Sequence, residues 1–157
     1  MTKTLMLAGV VAGLFGVCSG AVCAPVLTVS VRTHPVAVGR GGHGTLLVML
    51  NVASGYHVYA NKLSDPSMIP TVVTPDAAPG IAFGAPSFPA SHTLNLAGLG
   101  AYPVYTGHVV VSLPFSVAKK AKTGPVSLTA SVHYQGCNAT SCYPTATVSA
   151  TSSVLVK

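Results

Sequence analysis

The chain has 157 residues, room for one domain with its own core rather than several. Eight Lys and Arg stand against two acids, a formal net charge of +6, yet only 6% of the residues are charged. Such thin charge, with no Arg/Lys stripe and no interleaved aromatics, argues against nucleic-acid binding, and beyond the first 24 residues no run is long and apolar enough to span a bilayer.

Residues 1–24 read as a secretory signal peptide. Lys3 is the positive start, Leu5 to Val17 an uncharged apolar run, and Ala21-Val22-Cys23-Ala24 offers small residues for cleavage. A cut after Ala24 would leave Pro25 first, which is awkward for signal peptidase; Ser19 and Gly20 mark an alternative. Cys23 does not fit a lipobox, because Val22 precedes it where a small residue is expected. An uncleaved anchor is the competing reading, and the short Gly- and Ala-rich run weighs against it. Residues 25–157 then form the mature domain, destined for the periplasm, with Cys137 and Cys142 as its only cysteines. With so few charges, its surface must rely on Ser and Thr for solubility.

Leu27-Thr28-Val29-Ser30-Val31-Arg32 alternates with period 2, the mark of a half-buried strand. Gly39-Arg40-Gly41-Gly42-His43-Gly44 is a flexible turn. Thr45 to Val52 is more apolar and suits a strand buried on both faces. Gly55 opens a further strand, Tyr56-His57-Val58-Tyr59-Ala60. Residues 61–104 hold seven prolines and read as irregular loops crossing the ends of the fold. His108 to Val117 is a long run in which Pro114 hints at an edge or a bulge. Lys119, Lys120 and Lys122 precede the turn signal Thr123-Gly124-Pro125 and read as a solvated loop or an edge protector. Val126 to Tyr134 and Ala146 to Thr151 alternate strictly. No segment has a helical period with caps. Seven or eight short strands of this kind predict an all-β antiparallel sandwich.

The cysteines lie between those last two runs, in Tyr134-Gln135-Gly136-Cys137-Asn138-Ala139-Thr140-Ser141-Cys142-Tyr143-Pro144. The pair therefore sits near a hairpin tip, where two sulfurs can meet. In an exported chain this spacing points to a disulfide rather than half a zinc site, which would need two further ligands. A bridge over so short a loop contributes roughly 2 kcal/mol. A small exposed loop makes a poor staple and a plausible redox couple. His133 lies on the opposite strand face from Tyr134 and reads as an exposed strand histidine, although a turn toward the loop would raise the thiolate content. Tyr56, His57 and Tyr59 read as core and strand-surface residues. His57 with Met68 is too small a cluster for copper. No metal and no other cofactor is expected.

These residues carry a resemblance. Tyr134-Gln135-Gly136-Cys137, four intervening residues and Cys142-Tyr143-Pro144 resemble the N-terminal periplasmic domain of the thiol:disulfide interchange protein DsbD. Gly55-Tyr56-His57-Val58-Tyr59 is similar to that family's G-[WY]-x-[ILV]-Y strand. Gly100, Tyr105 and the run ending Leu113-Pro114 follow in the same order. The resemblance implies an immunoglobulin-like sandwich whose cysteines, Cys137 and Cys142, are the catalytic pair. It further implies that the domain takes electrons from a membrane-embedded partner and passes them to periplasmic thioredoxin-like proteins, with Cys142 engaging the partner. Protein-disulfide reductase activity is thereby open.

Three features depart from the family. The chain stops at Lys157 without a membrane domain, so the expected electron donor is a separate membrane transporter; the domain itself is expected to be a monomer. The gap between the cysteines is four residues, where some members have five. Where members often place an acidic and aromatic cap, this chain has Leu96-Ala97-Gly98-Leu99. Leu99, Tyr134 and Tyr143 are the candidates for shielding the sulfurs. The alternative function is a binding or structural sandwich in which the same disulfide is an inert hairpin staple.

Overall fold

The computed structural model describes residues 25–96 and 100–157; the signal-peptide segment and Leu99 lie outside them. Twelve strands and no helix occur among the described residues. They are β1 (Leu27–His34), β2 (Ala37–Val38), β3 (His43–Val52), β4 (His57–Tyr59), β5 (Val72–Pro75) and β6 (Ile81–Phe83), then β7 (His92–Leu96), β8 (Gly100–Tyr105), β9 (His108–Val117), β10 (Gly124–Tyr134), β11 (Gly136–Cys137) and β12 (Ala146–Val156). They pair as three sheets, β1-β3-β9-β6, β2-β12-β10-β5 and β11-β4-β8-β7. Every pairing is antiparallel except the short one between β2 and β12. The fold is an all-β, immunoglobulin-like antiparallel sandwich.

Period-2 alternation builds the core. Leu46, Val48 and Leu50 of β3 lie opposite Leu113, Val111 and Val109 of β9, and all six are buried. Leu128, Ala130 and Val132 of β10, with Val154 and Val156 of β12, complete the same cluster from the facing sheet. Each Val or Leu so buried contributes roughly 1.5–3 kcal/mol relative to exposure. The Thr33 hydroxyl donates to the Ser153 carbonyl at 2.7 Å and ties β1 to β12. On the outer face of the β10–β12 pair, Thr129 meets Thr151 and Ser131 meets Ser149, hydroxyl to hydroxyl at 2.8 Å.

Three local expectations are corrected. The run from Thr45 to Val52 is buried on one face only, since Leu47, Met49 and Asn51 are half-buried. Pro114 lies inside β9, which has β3 on one side and β6 on the other. It is tolerated because its carbonyl accepts from the Gly84 amide at 2.8 Å. A residue's amide and carbonyl point to the same side in an antiparallel strand, so the missing N–H faces the place where β6 has already ended. The proline-rich region is not loop throughout: it supplies β5, β6, β7 and most of β8. These strands of three to six residues are too short and too punctuated to show a period.

Candidate functional site: the cysteine bridge on the small sheet

The chain changes sheets at Gln135. Tyr134 still pairs with Ala146 of β12, but Gly136 and Cys137 pair with Val58 and His57 of β4. Gly136 allows the crossing, because a Cβ there would lie 2.5 Å from Val26 Cγ1. Cys142 comes back antiparallel to Cys137, and the Tyr143 amide donates to the Gly136 carbonyl at 2.8 Å. The four residues between the cysteines fold around Asn138. Its Oδ1 accepts from the amides of Thr140 and Ser141 at 2.9 and 2.8 Å, and its amide donates to the Ser141 carbonyl. This Asx-type turn holds the cysteine Cα atoms 4.0 Å apart, and Cys137 and Cys142 form a disulfide.

The two sulfurs are not equivalent. Cys137 is 1% exposed, whereas Cys142 is exposed. The loop is therefore not uniformly open, as its small size had suggested.

Direct partners in an antiparallel pair share a face, and so do residues two apart on one strand. His57 is the partner of Cys137, and Tyr59 follows two residues on; Tyr59 is the partner of Val104, and Tyr102 precedes that by two. One face of the small sheet thus gathers His57, Tyr59, Tyr102, Val104 and both cysteines. Tyr59, Val104 and Cys137 form a second apolar cluster, with Leu63, Met68, Leu94 and Tyr102 packed around it. The Tyr59 hydroxyl lies 3.9 Å from Cys142 Sγ. With that sulfur in a disulfide, the hydroxyl donates. The Thr71 hydroxyl fixes the end of β4 by donating to the Tyr59 carbonyl at 2.6 Å.

Burial sets the protonation of this face. It raises the Tyr59 hydroxyl above its ordinary value, with smaller contributions from Tyr102 and Asp65, so the hydroxyl keeps its proton. It lowers His57, helped by the neighbouring charge of His92, so the ring is neutral near pH 7. Asp65 is lowered mainly by hydrogen bonds from the Ser67 hydroxyl and amide and stays ionised. The Tyr102 hydroxyl donates to it at 3.4 Å.

The other candidates fall as follows. Tyr134 is buried in the main core. Tyr143 is 40% exposed, stacks at a tilt on Tyr56 with ring centroids 5.9 Å apart, and follows Cys142 directly. His133 is exposed on the outer face of β10, where its Nδ1 meets the Thr147 hydroxyl at 3.1 Å, away from the sulfurs. Met68 packs on the cysteine cluster. His57 and Tyr59 are the residues that sequence reasoning passed over. Their period-2 spacing put them on one face, but nothing local said that this face meets Cys137.

The family model described as "Thiol:disulfide interchange protein DsbD, N-terminal" matches residues 24–153. The chain belongs to the DsbD N-terminal domain family. The DsbD N-terminal domain of Neisseria meningitidis, solved in the reduced form, is 27% identical over 80% of this chain and 85% of its own, with a TM-score of 0.46. The same organism's DsbD N-terminal domain in complex with the PilB N-terminal domain gives 22% identity over 83% and 86%, with a TM-score of 0.48. The N-terminal periplasmic domain of ScsB from Proteus mirabilis gives 13% over 80% and 43%, with a TM-score of 0.47. Among curated proteins none matches. The matched span of the DsbD family model includes the disulfide and the described strands of the small sheet, β4, β7, β8 and β11.

Proposed function

We propose that this chain is an exported thiol–disulfide exchange domain that relays electrons through Cys137 and Cys142. The observation that carries the reading is the asymmetry of the disulfide in a DsbD-family domain, with Cys142 exposed and Cys137 buried. Exchange needs one sulfur that a partner can reach and a second placed to displace that partner from it. In the dithiol form the Cys142 thiolate attacks a partner's disulfide and releases one of its two sulfurs as a thiolate. Cys137, as thiolate, then attacks Cys142 Sγ and frees the partner's second sulfur. The partner leaves reduced by two electrons and this domain keeps the disulfide. A thioredoxin-like protein is the partner class, and a separate membrane transporter is the class that restores the dithiol. The domain works as a monomer behind a cleaved signal peptide of residues 1–24, with residues 25–157 as the folded module. Tyr143 and Tyr59 flank Cys142, and in the sequence Leu99 stands where the family places its cap.

Equilibration of the mature domain against glutathione buffers tests this. Structural disulfides of exported proteins lie below about −300 mV. A potential above that value is expected; one below it makes the bridge a hairpin staple and ends the exchange reading. Cys137→Ala should trap a thioredoxin-like partner covalently through Cys142, and Cys142→Ala should trap it far more slowly. Mass spectrometry of the protein from its native envelope should find an N-terminus near residues 20–26; an intact Met1 would remove the case for export.

A further inference from the structure

We infer that His57 is the proton acceptor for Cys137 when the buried sulfur closes the disulfide. The inference rests on the exchange reading and names the residue that enables its second step. Cys137 must become a thiolate to attack Cys142 Sγ, and burial makes that ionisation costly unless a base stands beside it. The register of β4 and β11 sets His57 directly opposite Cys137 on the same sheet face. Both are buried, His57 at 4% and Cys137 at 1% exposure. His57 Nε2 is a buried polar atom without a hydrogen-bond partner in the oxidised protein. A buried imidazole nitrogen left unpaired is costly, and the missing partner is explained if it exists only in the other redox state. The disulfide has no S–H; the reduced Cys137 has one.

The other titratable groups on this face do not compete for the proton. Tyr59 on β4 holds its own proton. Tyr102 on β8 gives its hydroxyl to Asp65, whose carboxylate is already engaged by Ser67. His92 on β7 is exposed, and burial first and its coulombic influence second lower His57, leaving the ring neutral and ready to accept. His57 also lines a cleft of about 710 Å³ with Leu94, Thr106 and Ala139, which gives the proton a way out.

The mixed disulfide between Cys142 and a partner, together with Cys137–SH and neutral His57, gives the Cys137–Cys142 disulfide, the partner's thiolate and His57 imidazolium. One S–S bond breaks as another forms, and the imidazolium then loses its proton through the cleft. At the moment of transfer the thiolate and imidazolium stand as a pair, so neither is a lone buried charge.

The test uses the reduced mature domain and dithiobis(nitrobenzoate). The first thionitrobenzoate is released when exposed Cys142 attacks the reagent, the second when Cys137 closes the ring. Stopped-flow absorbance separates the two. In the wild type the second phase should rise with pH through an inflection below about 6.5, the ordinary imidazole value, because burial lowers His57. In His57→Gln the second phase should slow on the order of 100-fold relative to the first near neutral pH and lose that inflection. A wild-type second phase with its only inflection in the thiol range above about 8 overturns the proposal even if the variant does not fold. So does a folded His57→Gln with the wild-type ratio of phases. No partner protein enters the assay, so a failure of the relay reading appears only in the potential and the trapping experiments.

Discussion

Gly136 decides whether the cysteines reach their sheet. Its Cα faces the Val26 side chain so closely that even a methyl group would overlap Val26 Cγ1. Gly136→Ala should cost about 1–3 kcal/mol by overpacking, read as a lower urea midpoint, and Val26→Ala in the same background should recover most of the loss. A Gly136→Ala variant with wild-type stability would mean that β11 does not pack on Val26. His57 makes a separate prediction for stability against pH. Its folded value lies below the ordinary 6.5 because of burial first and His92 second. As pH falls beneath 6.5, the unfolded chain takes up this proton before the folded one does. The contribution of His57 is therefore complete above about 6.5 and is lost through the window below it. The urea midpoint of the oxidised domain should drop between about pH 7 and about pH 5, and His57→Phe should remove that part of the drop.

The β10–β12 hairpin is the most regular element, paired without a break from Gly124 with Val156 to Tyr134 with Ala146. Its inward residues join the core, and its outer face carries hydroxyl pairs in place of charges, each contributing about 0.2–1 kcal/mol. This is how a chain so poor in charge keeps one face of a sheet wet. Beyond Tyr134 the hairpin hands its tip to the small sheet, and the Asn138 turn holds the loop in shape. Asn138→Ala removes the acceptor shared by the Thr140 and Ser141 amides, a loss of about 1 kcal/mol. In the reduced domain, where no disulfide clamps the loop, those two amides should exchange with solvent roughly fivefold faster. Unchanged exchange would mean that the backbone, not the Asn138 side chain, sets the turn.

The protein has two apolar centres of unequal weight. The large one lies between the two principal sheets and contains neither cysteine; the small one holds Cys137 with Tyr59 and Val104. Folding should therefore survive without the bridge. Cys137→Ala combined with Cys142→Ala should keep the β circular-dichroism signature and unfold cooperatively with a loss of roughly 2 kcal/mol, the value for a loop this short. Failure of the double variant to fold would give the disulfide a structural role and favour the staple. The division also separates function from stability. The proposed exchange site sits on the small sheet, apart from the main core.

The long strands were legible because a half-buried strand repeats every two residues and a run of eight or more displays the repeat many times. Leu27 to Arg32, His108 to Val117, Val126 to Tyr134 and Ala146 to Thr151 all became strands. The pairing of Cys137 with Cys142 was legible too, since five residues of separation leave the sulfurs little freedom to be apart. Other features belong to the tertiary structure alone. Strands of two or three residues such as β11 and β6 have no period to read. That Cys137 opposes His57, and that Tyr59 reaches Cys142, depends on a register between segments far apart in the chain. The packing of whole sheets sets that register, and no local pattern records it. For the same reason only the fold could make one cysteine buried and its neighbour open, because burial is a property of what arrives from elsewhere to cover a residue.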